Sequence, residues 1–132
     1  MSAGVKDRPE SPPLPSDAEI KILRELWIHG ESTVREIHER VSDEWPVGYT
    51  TVLKLLQRML DKGLVTRREE GRAHVYRTAV SEDRTRRRLT RELVERVFGG
   101  SILGLVETAL PRGPGRAAEI EEIRRMLKRV AE

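Results

Sequence analysis

The chain has 132 residues, of which 37% are hydrophobic and 36% charged, and it contains no cysteine. This length suits one compact domain, or a small domain with an accessory element, and the lack of cysteine excludes disulfides, thiolate metal sites and cysteine nucleophiles. The net charge is +3, but residues 48–79 carry 7 Lys/Arg against 3 Asp/Glu, a concentration that favours a polyanionic partner for this part of the chain.

The first predicted segment is a disordered arm at residues 1–14, which is rich in proline and serine. It lacks the apolar stretch of a secretion signal. No apolar run elsewhere approaches the roughly 18 residues needed to cross a bilayer. We therefore expect a cytoplasmic protein that does not act at a membrane.

Two helices are predicted next, and each opens with a capping box, in which a hydroxyl and a carboxylate satisfy the first free backbone amides. The first box is Ser16 with Glu19, and its helix ends at Gly30. The second box is Thr33 with Glu36. The apolar residues that this second helix turns inward are Val34, Ile37 and Val41.

The third predicted helix, YTTVLKLLQRMLDK at residues 49–62, has two unlike faces. At about 100° per residue, its core-facing arc holds Tyr49, Val52, Leu53, Leu56, Met59 and Leu60. The opposite side holds Thr51, Lys54, Arg58 and Lys62, with Leu55 at its flank. Taken alone, such a cationic stripe is usually a solvated surface.

The pattern then changes to two short strands, LVTRRE and RAHVYRT, joined near Glu70 and Gly71. Such runs with a glycine between them predict a hairpin. Three helices followed by a basic hairpin are the arrangement of a winged helix-turn-helix, whose third helix enters the DNA major groove. The sequence therefore predicts a mainly α fold, with a winged helix-turn-helix DNA-binding domain at residues 15–79.

This fold gives the charged stripe a function in binding double-stranded DNA. Cations and hydroxyls of the third helix suit phosphates and guanine edges, and an apolar flank suits a thymine methyl. The predicted contacts from this helix are Thr50, Thr51, Lys54, Leu55, Arg58 and Lys62. Those around the wing tip, suited to the phosphate backbone, are Arg67, Arg68, Arg72 and His74.

Residues 80–132 are predicted to form a helical dimerisation region. Its helices are separated at Gly99-Gly100 and at Pro111 to Gly115. Each carries apolar residues on one side, and those of the last helix form a narrow seam suited to packing against another helix. A homodimer would match the two half-sites of a symmetric DNA sequence. The seam residues are Leu89, Leu93, Val97, Phe98, Ile102, Leu105, Val106, Ile120, Ile123, Leu127 and Val130.

Several segments together resemble the penicillinase-repressor family of transcriptional regulators, the BlaI/MecI/CopY group. The most specific are Tyr49-Thr50-Thr51-Val52, Lys62-Gly63-Leu64-Val65 and Gly71-Arg72-Ala73-His74-Val75-Tyr76. The resemblance implies a homodimeric winged-helix repressor on a palindromic operator, in a beta-lactam or cell-wall-stress response. It also implies recognition through Thr50, Thr51, Lys54, Leu55 and Arg58.

Three departures from the family pattern bear on what the resemblance implies. Many members have Thr-Thr where this chain has Lys54-Leu55, so a different operator is expected. In antibiotic-responsive members a membrane sensor triggers proteolysis, and the staphylococcal repressors are cut at an Asn-Phe bond. The matching dipeptide here is Val97-Phe98, the candidate cleavage point for a regulatory protease. The copper-responsive branch has a cysteine cluster, which this chain lacks.

Other functions have weaker support from the residues. No catalytic group, metal ligand or cofactor site is predicted, because the histidines lie in separate elements and no nucleophile has a base nearby. A winged-helix protein–protein adaptor would usually have apolar or acidic residues in place of the third-helix cations. A ligand-sensing regulator of the same fold would need a pocket that a sequence does not reveal.

Overall fold

The computed structural model describes residues 12–132. The predicted arm at 1–14 lies mostly outside the described residues. The helices are α1 (Asp17–His29), α2 (Val34–Val41), α3 (Tyr49–Lys62), α4 (Glu82–Phe98), α5 (Ile102–Ala109) and α6 (Arg116–Ala131), and the strands are β1 (Ser32–Thr33), β2 (Val65–Glu70) and β3 (Ala73–Thr78). The mainly helical winged-helix fold predicted from the sequence is confirmed.

Both predicted capping boxes are present and fix where α1 and α2 begin. Ser16 Oγ accepts from the backbone N–H of Glu19 at 3.2 Å, and Glu19 Oε1 accepts from the N–H of Ser16 at 2.8 Å. Thr33 and Glu36 make the same pair of hydrogen bonds at 3.2 and 2.9 Å. Each box satisfies amides that a helix start otherwise leaves without partners.

The hairpin belongs to a three-stranded antiparallel sheet in the order β1-β3-β2. The β2–β3 register runs from Val65 opposite Thr78 to Glu70 opposite Ala73, and Gly71 turns the chain with a φ of 63°. The additional strand, β1, pairs Ser32 with Tyr76 and Thr33 with Val75. The sequence analysis did not predict it, because a two-residue strand leaves no periodic pattern.

The core of this part of the chain lies between α1, α2, α3 and the sheet. Its fully buried members include Ile22, Ile37, Leu56, Met59 and Tyr76. The inward face predicted for α2 is confirmed, since all three of its apolar residues are buried. One core assignment is wrong: Tyr49 is 47% exposed, because it begins α3 at the edge of the packed region and stands edge-on to the ring of His38.

The chain divides into two compact units between Arg88 and Leu89, inside α4. The first unit holds the winged helix-turn-helix and the start of α4, where Ser81 Oγ accepts from the Arg84 N–H at 3.0 Å. The predicted domain boundary at 79/80 stays a prediction. Within residues 12–132, none of the helices has the length and apolar character needed to cross a membrane.

Candidate nucleic-acid interface

The outer face of α3 brings polar and cationic side chains together on one exposed surface, formed by Thr50, Thr51, Lys54, Gln57 and Arg58. Among residues 12–132 neither Lys54 nor Arg58 has an ion-pair partner, so both charges face solvent. Gln57 was missed in the sequence analysis. Its position could have revealed it, because it lies three residues after Lys54 and seven after Thr50, on the same side of the helix.

Two residues predicted on this surface are not there. Leu55 is only 8% exposed and belongs to the core cluster with Val52 and Met59. An apolar side chain at the flank of the core face gains free energy by burial, so the buried arc of α3 is wider than predicted. The prediction that Leu55 contacts a thymine methyl is therefore wrong.

Lys62 is the second correction, because its half-buried side chain is paired with a carboxylate of the protein. Its ammonium donates to both carboxylate oxygens of Glu19, at 2.9 and 3.0 Å. Lys62 lies seven residues after Leu55 and three after Met59, so it continues their buried row along the helix. The prediction that its charge faces outward to DNA is wrong.

The start of α3 differs from the starts of α1 and α2. Its N-cap is Gly48, which makes no side-chain capping hydrogen bond. The preceding turn is held by His38, whose Nε2 lies 2.9 Å from the carbonyl oxygen of Val47. The first amides of α3 thus meet no capping side chain, and a helix start of this kind favours an anion.

The wing carries fewer cations at its tip than predicted. Only Arg72 lies in the turn, whereas Arg67 and Arg68 lie along β2 and His74 is half-buried on β3, opposite Glu69. The alternation of strand residues and the position of the turn set these places. The tip is flanked by Glu69 and Glu70, so the charge of Arg72 stands among acids.

The two arginines of β2 have partners within the protein. Arg67 Nη1 donates to the hydroxyl of Tyr76 at 3.3 Å, and Arg68 Nη2 donates to Glu31 Oε1 at 2.9 Å. The hydrogen bond and the charge of Arg68 hold the pKa of the Glu31 carboxyl below its usual value. The exposed Arg68–Glu31 pair contributes little to the free energy of folding, so Arg68 can exchange Glu31 for a phosphate. DNA contacts from Arg67 and Arg68 stay predictions.

The second unit, residues 89–132, leaves seven large apolar residues exposed. Val94 is its one buried hydrophobic residue. Five of the predicted seam residues are exposed: Leu93, Val97, Ile102, Leu127 and Val130. The other six are half-buried: Leu89, Phe98, Leu105, Val106, Ile120 and Ile123. Two further exposed residues, Leu103 and Met126, were not predicted.

The candidate cleavage dipeptide lies at the end of α4. Val97 is exposed, and Phe98 is the half-buried last residue of the helix. Gly99 and Gly100 follow with φ values of 57° and 92°, which end the helix at this point. Cleavage here stays a prediction.

Comparison with known families decides the classification. A model of the penicillinase repressor family matches residues 15–129. The chain belongs to the penicillinase repressor family. The match covers the winged helix-turn-helix and nearly all of the C-terminal helices of this family member, so the resemblance seen in the sequence is confirmed.

Two relatives of this penicillinase repressor family member are regulators of transcription and not enzymes. It is 41% identical over 61 residues to the transcriptional regulator BlaI of Mycobacterium tuberculosis, a match covering 46% of this chain and 44% of that regulator. The chain thus matches less than half of that regulator's length. It is 24% identical over 113 residues to the penicillinase repressor of Bacillus licheniformis, covering 86% of this chain and 88% of the relative.

A solved structure supports the same fold. The solution structure of the DNA-binding domain of the repressor BlaI is 28% identical and superposes with a TM-score of 0.51. It covers 55% of this chain and 88% of that domain.

Proposed function

We propose that this penicillinase repressor family member is a DNA-binding transcriptional repressor that acts as a homodimer on a palindromic operator. The observation that carries the proposal is the exposed polar and cationic face of α3. That helix buries its opposite face against α1, α2 and the sheet, as a recognition helix must to be held rigidly. An adaptor without DNA binding would have no use for this row of unpaired cations.

The residues of α3 suit both positioning and base reading. Arg58 and Lys54 can donate to guanine N7 and O6 or to phosphate, and Gln57 can bond an adenine with both ends of its amide. The uncapped first turn at Gly48 suits a phosphate oxygen, flanked by the hydroxyls of Thr50 and Thr51. In this proposal, phosphate contacts set the register and Gln57 and Arg58 read the sequence.

The homodimer is supported by the apolar surface of residues 89–132. Of the nine large hydrophobic residues exposed in the described chain, seven lie in this stretch. A second copy is the partner that two-fold related half-sites favour. Because the relatives include a penicillinase repressor, we propose that the chain regulates a beta-lactam or cell-wall-stress response and acts in the cytoplasm. The family resemblance of the sequence makes a regulatory protease a candidate partner.

The function is tested by selecting duplexes of about 30 base pairs, long enough for two half-sites, from a random pool with the full chain. We expect enrichment of a palindromic sequence, bound at least about 1,000-fold more tightly than a shuffled duplex. The affinity should fall steeply as salt is raised. No retention of any duplex at about 50 mM salt would refute the proposal.

Arg72→Ala should weaken binding to the selected and the shuffled duplex alike. Because Arg72 is exposed in the wing turn, we expect it to contact phosphate and not a base edge. The slope of log affinity against log salt should become shallower by about one. Titration by fluorescence anisotropy at several salt concentrations measures both effects. A loss confined to the selected duplex would instead place Arg72 at a base.

A further inference from the structure

Glu19 is a carboxylate in the interior of the winged domain. Its side chain is 0% exposed and lies on the same row of α1 as the buried Ile22, Leu23 and Leu26. A buried charge is strongly disfavoured unless it is paired and hydrogen-bonded. Glu19 meets this requirement with two partners, the backbone N–H of Ser16 and the ammonium of Lys62.

The two partners of Glu19 lie at the start of α1 and at the end of α3. Ser16 is the N-cap of α1, and Lys62 is the last residue of α3. Burial raises the pKa of the Glu19 carboxyl, but the Ser16 hydrogen bonds and the Lys62 charge lower it by more, so it lies below its usual value. One ionised group therefore caps α1 and also holds the end of α3.

We propose that Glu19 and Lys62 are positioning residues that fix the rotation of α3, and through it the selection of the operator sequence. The inference rests on the proposed DNA-binding function. Lys62 then affects DNA recognition without touching DNA. It does so by holding the C-terminal turn of α3 on α1, while Arg58, one turn earlier, faces outward.

The geometry of the last turn of α3 allows the Glu19–Lys62 contact, called the tie below, to resist rotation of the helix. The chain leaves α3 through Gly63, whose left-handed φ of 83° ends the helix directly after Lys62. The N–H of Leu64 then donates to the carbonyl oxygen of Met59 at 2.9 Å. This hydrogen bond spans Lys62, so the backbone of the last turn is held in place. A rotation of α3 by about 10° would move its outer side chains, at a radius of 5–6 Å, by about 1 Å. A shift of that size disrupts bidentate hydrogen bonds to a base but not a diffuse attraction to phosphates.

The test compares two lysine-to-methionine changes on the same helix, Lys62→Met and Lys54→Met. Lys54→Met should make the salt slope shallower by about one, because it removes an exposed cation facing DNA, and it should leave Tm nearly unchanged. Lys62→Met should leave the salt slope unchanged and lower Tm by on the order of 10 °C, because it strands a buried carboxylate. It should also lower the preference for the selected over the shuffled duplex by about tenfold, measured well below its Tm.

A second variant separates positioning from stability. In the double variant Glu19→Gln/Lys62→Met no charge is buried, and glutamine still serves a capping box, so Tm should return towards that of the wild type. We expect the preference for the selected duplex to stay reduced, because the tie between α1 and α3 is gone. Full recovery of the preference together with Tm would overturn the proposal and leave the pair a purely structural role.

Two further outcomes would also count against it. A shallower salt slope for Lys62→Met, like that of Lys54→Met, would mean that Lys62 contacts DNA directly. Amide hydrogen exchange at residues 58–62, measured without DNA, should be faster in the double variant if the tie fixes α3, and unchanged exchange contradicts the tie. The exchange measurement also distinguishes failure of this inference from failure of the proposed function. If wild-type protein does not bind duplex DNA, the proposed function is refuted, but hydrogen exchange still tests whether the Glu19–Lys62 contact fixes α3.

Discussion

Arg58→Ala should weaken binding to the operator by about 1–3 kcal/mol, on the order of 10- to 100-fold, if the guanidinium donates to both O6 and N7 of a guanine. The residue lies on the exposed face of α3, and no ion pair within residues 12–132 competes for it. Its loss removes hydrogen bonds that only one base pair can offer. The preference for the operator over a shuffled duplex should therefore fall as well.

A matched control and a base-pair series make this prediction specific. Arg24→Ala removes another exposed arginine, on α1, and should leave the affinity and the preference unchanged. With Arg58→Ala, replacing the contacted guanine should cost nothing further, whereas other replacements should keep their full cost. If Arg58→Ala binds like the wild type in competition titrations, the recognition surface assigned to α3 is wrong.

The fold could be predicted because its determinants are local. The capping boxes at Ser16 and Thr33 determine where α1 and α2 begin, and the glycine after Lys62 ends α3. These signals arise from backbone amides and from the left-handed conformation, and neither depends on distant parts of the chain. The order of elements then leaves few architectures for three helices and a hairpin.

The candidate site was predicted less well, because burial depends on partners far along the chain. Glu19 and Lys62 are 43 residues apart in the sequence. A helical wheel of α3 alone cannot show that a carboxylate of α1 lies beside the last turn of α3. A signal was nonetheless present. Glu19 begins the row of α1 that continues with Ile22, Leu23 and Leu26, and an acid in a buried row requires a basic or hydrogen-bonding partner.

The wing shows the same limit for a different reason. The number of arginines in β2 and β3 was correctly read from the sequence, but their places depend on where the turn falls. Once Gly71 and Arg72 form the turn, strand geometry assigns Arg67 and Arg68 to β2 and leaves a single cation at the tip. A shift of one residue in the pairing would turn each side chain of the shifted strand to the other face of the sheet.

The exposed apolar side chains of residues 89–132 are the observation that most favours the proposed homodimer. Side chains such as Ile102, Leu103 and Val130 remain exposed, whereas Val94 is the one buried hydrophobic residue of the stretch. Burying an exposed leucine, isoleucine or valine is worth about 1.5–3 kcal/mol for each residue. Ser101 caps α5, whereas α6 begins at Gly115 without a side-chain cap. Exposed apolar faces on formed helices favour a partner that covers them.

Leu127→Asp should therefore convert the proposed dimer to monomer. It should also weaken operator binding by about 100-fold or more, because two linked domains gain that much from binding two half-sites together. Leu127 is 56% exposed on α6, and a carboxylate there would be buried without a partner in the dimer. Light scattering measures the mass and anisotropy the affinity. Arg125→Asp, which puts the same residue on the opposite face of α6, should remain dimeric. If Leu127→Asp keeps the wild-type mass, this face is not the interface, and a monomeric mass for the wild type itself would refute the proposed homodimer. If it becomes monomeric yet binds the full operator as before, each domain reads DNA alone and a symmetric operator confers no advantage.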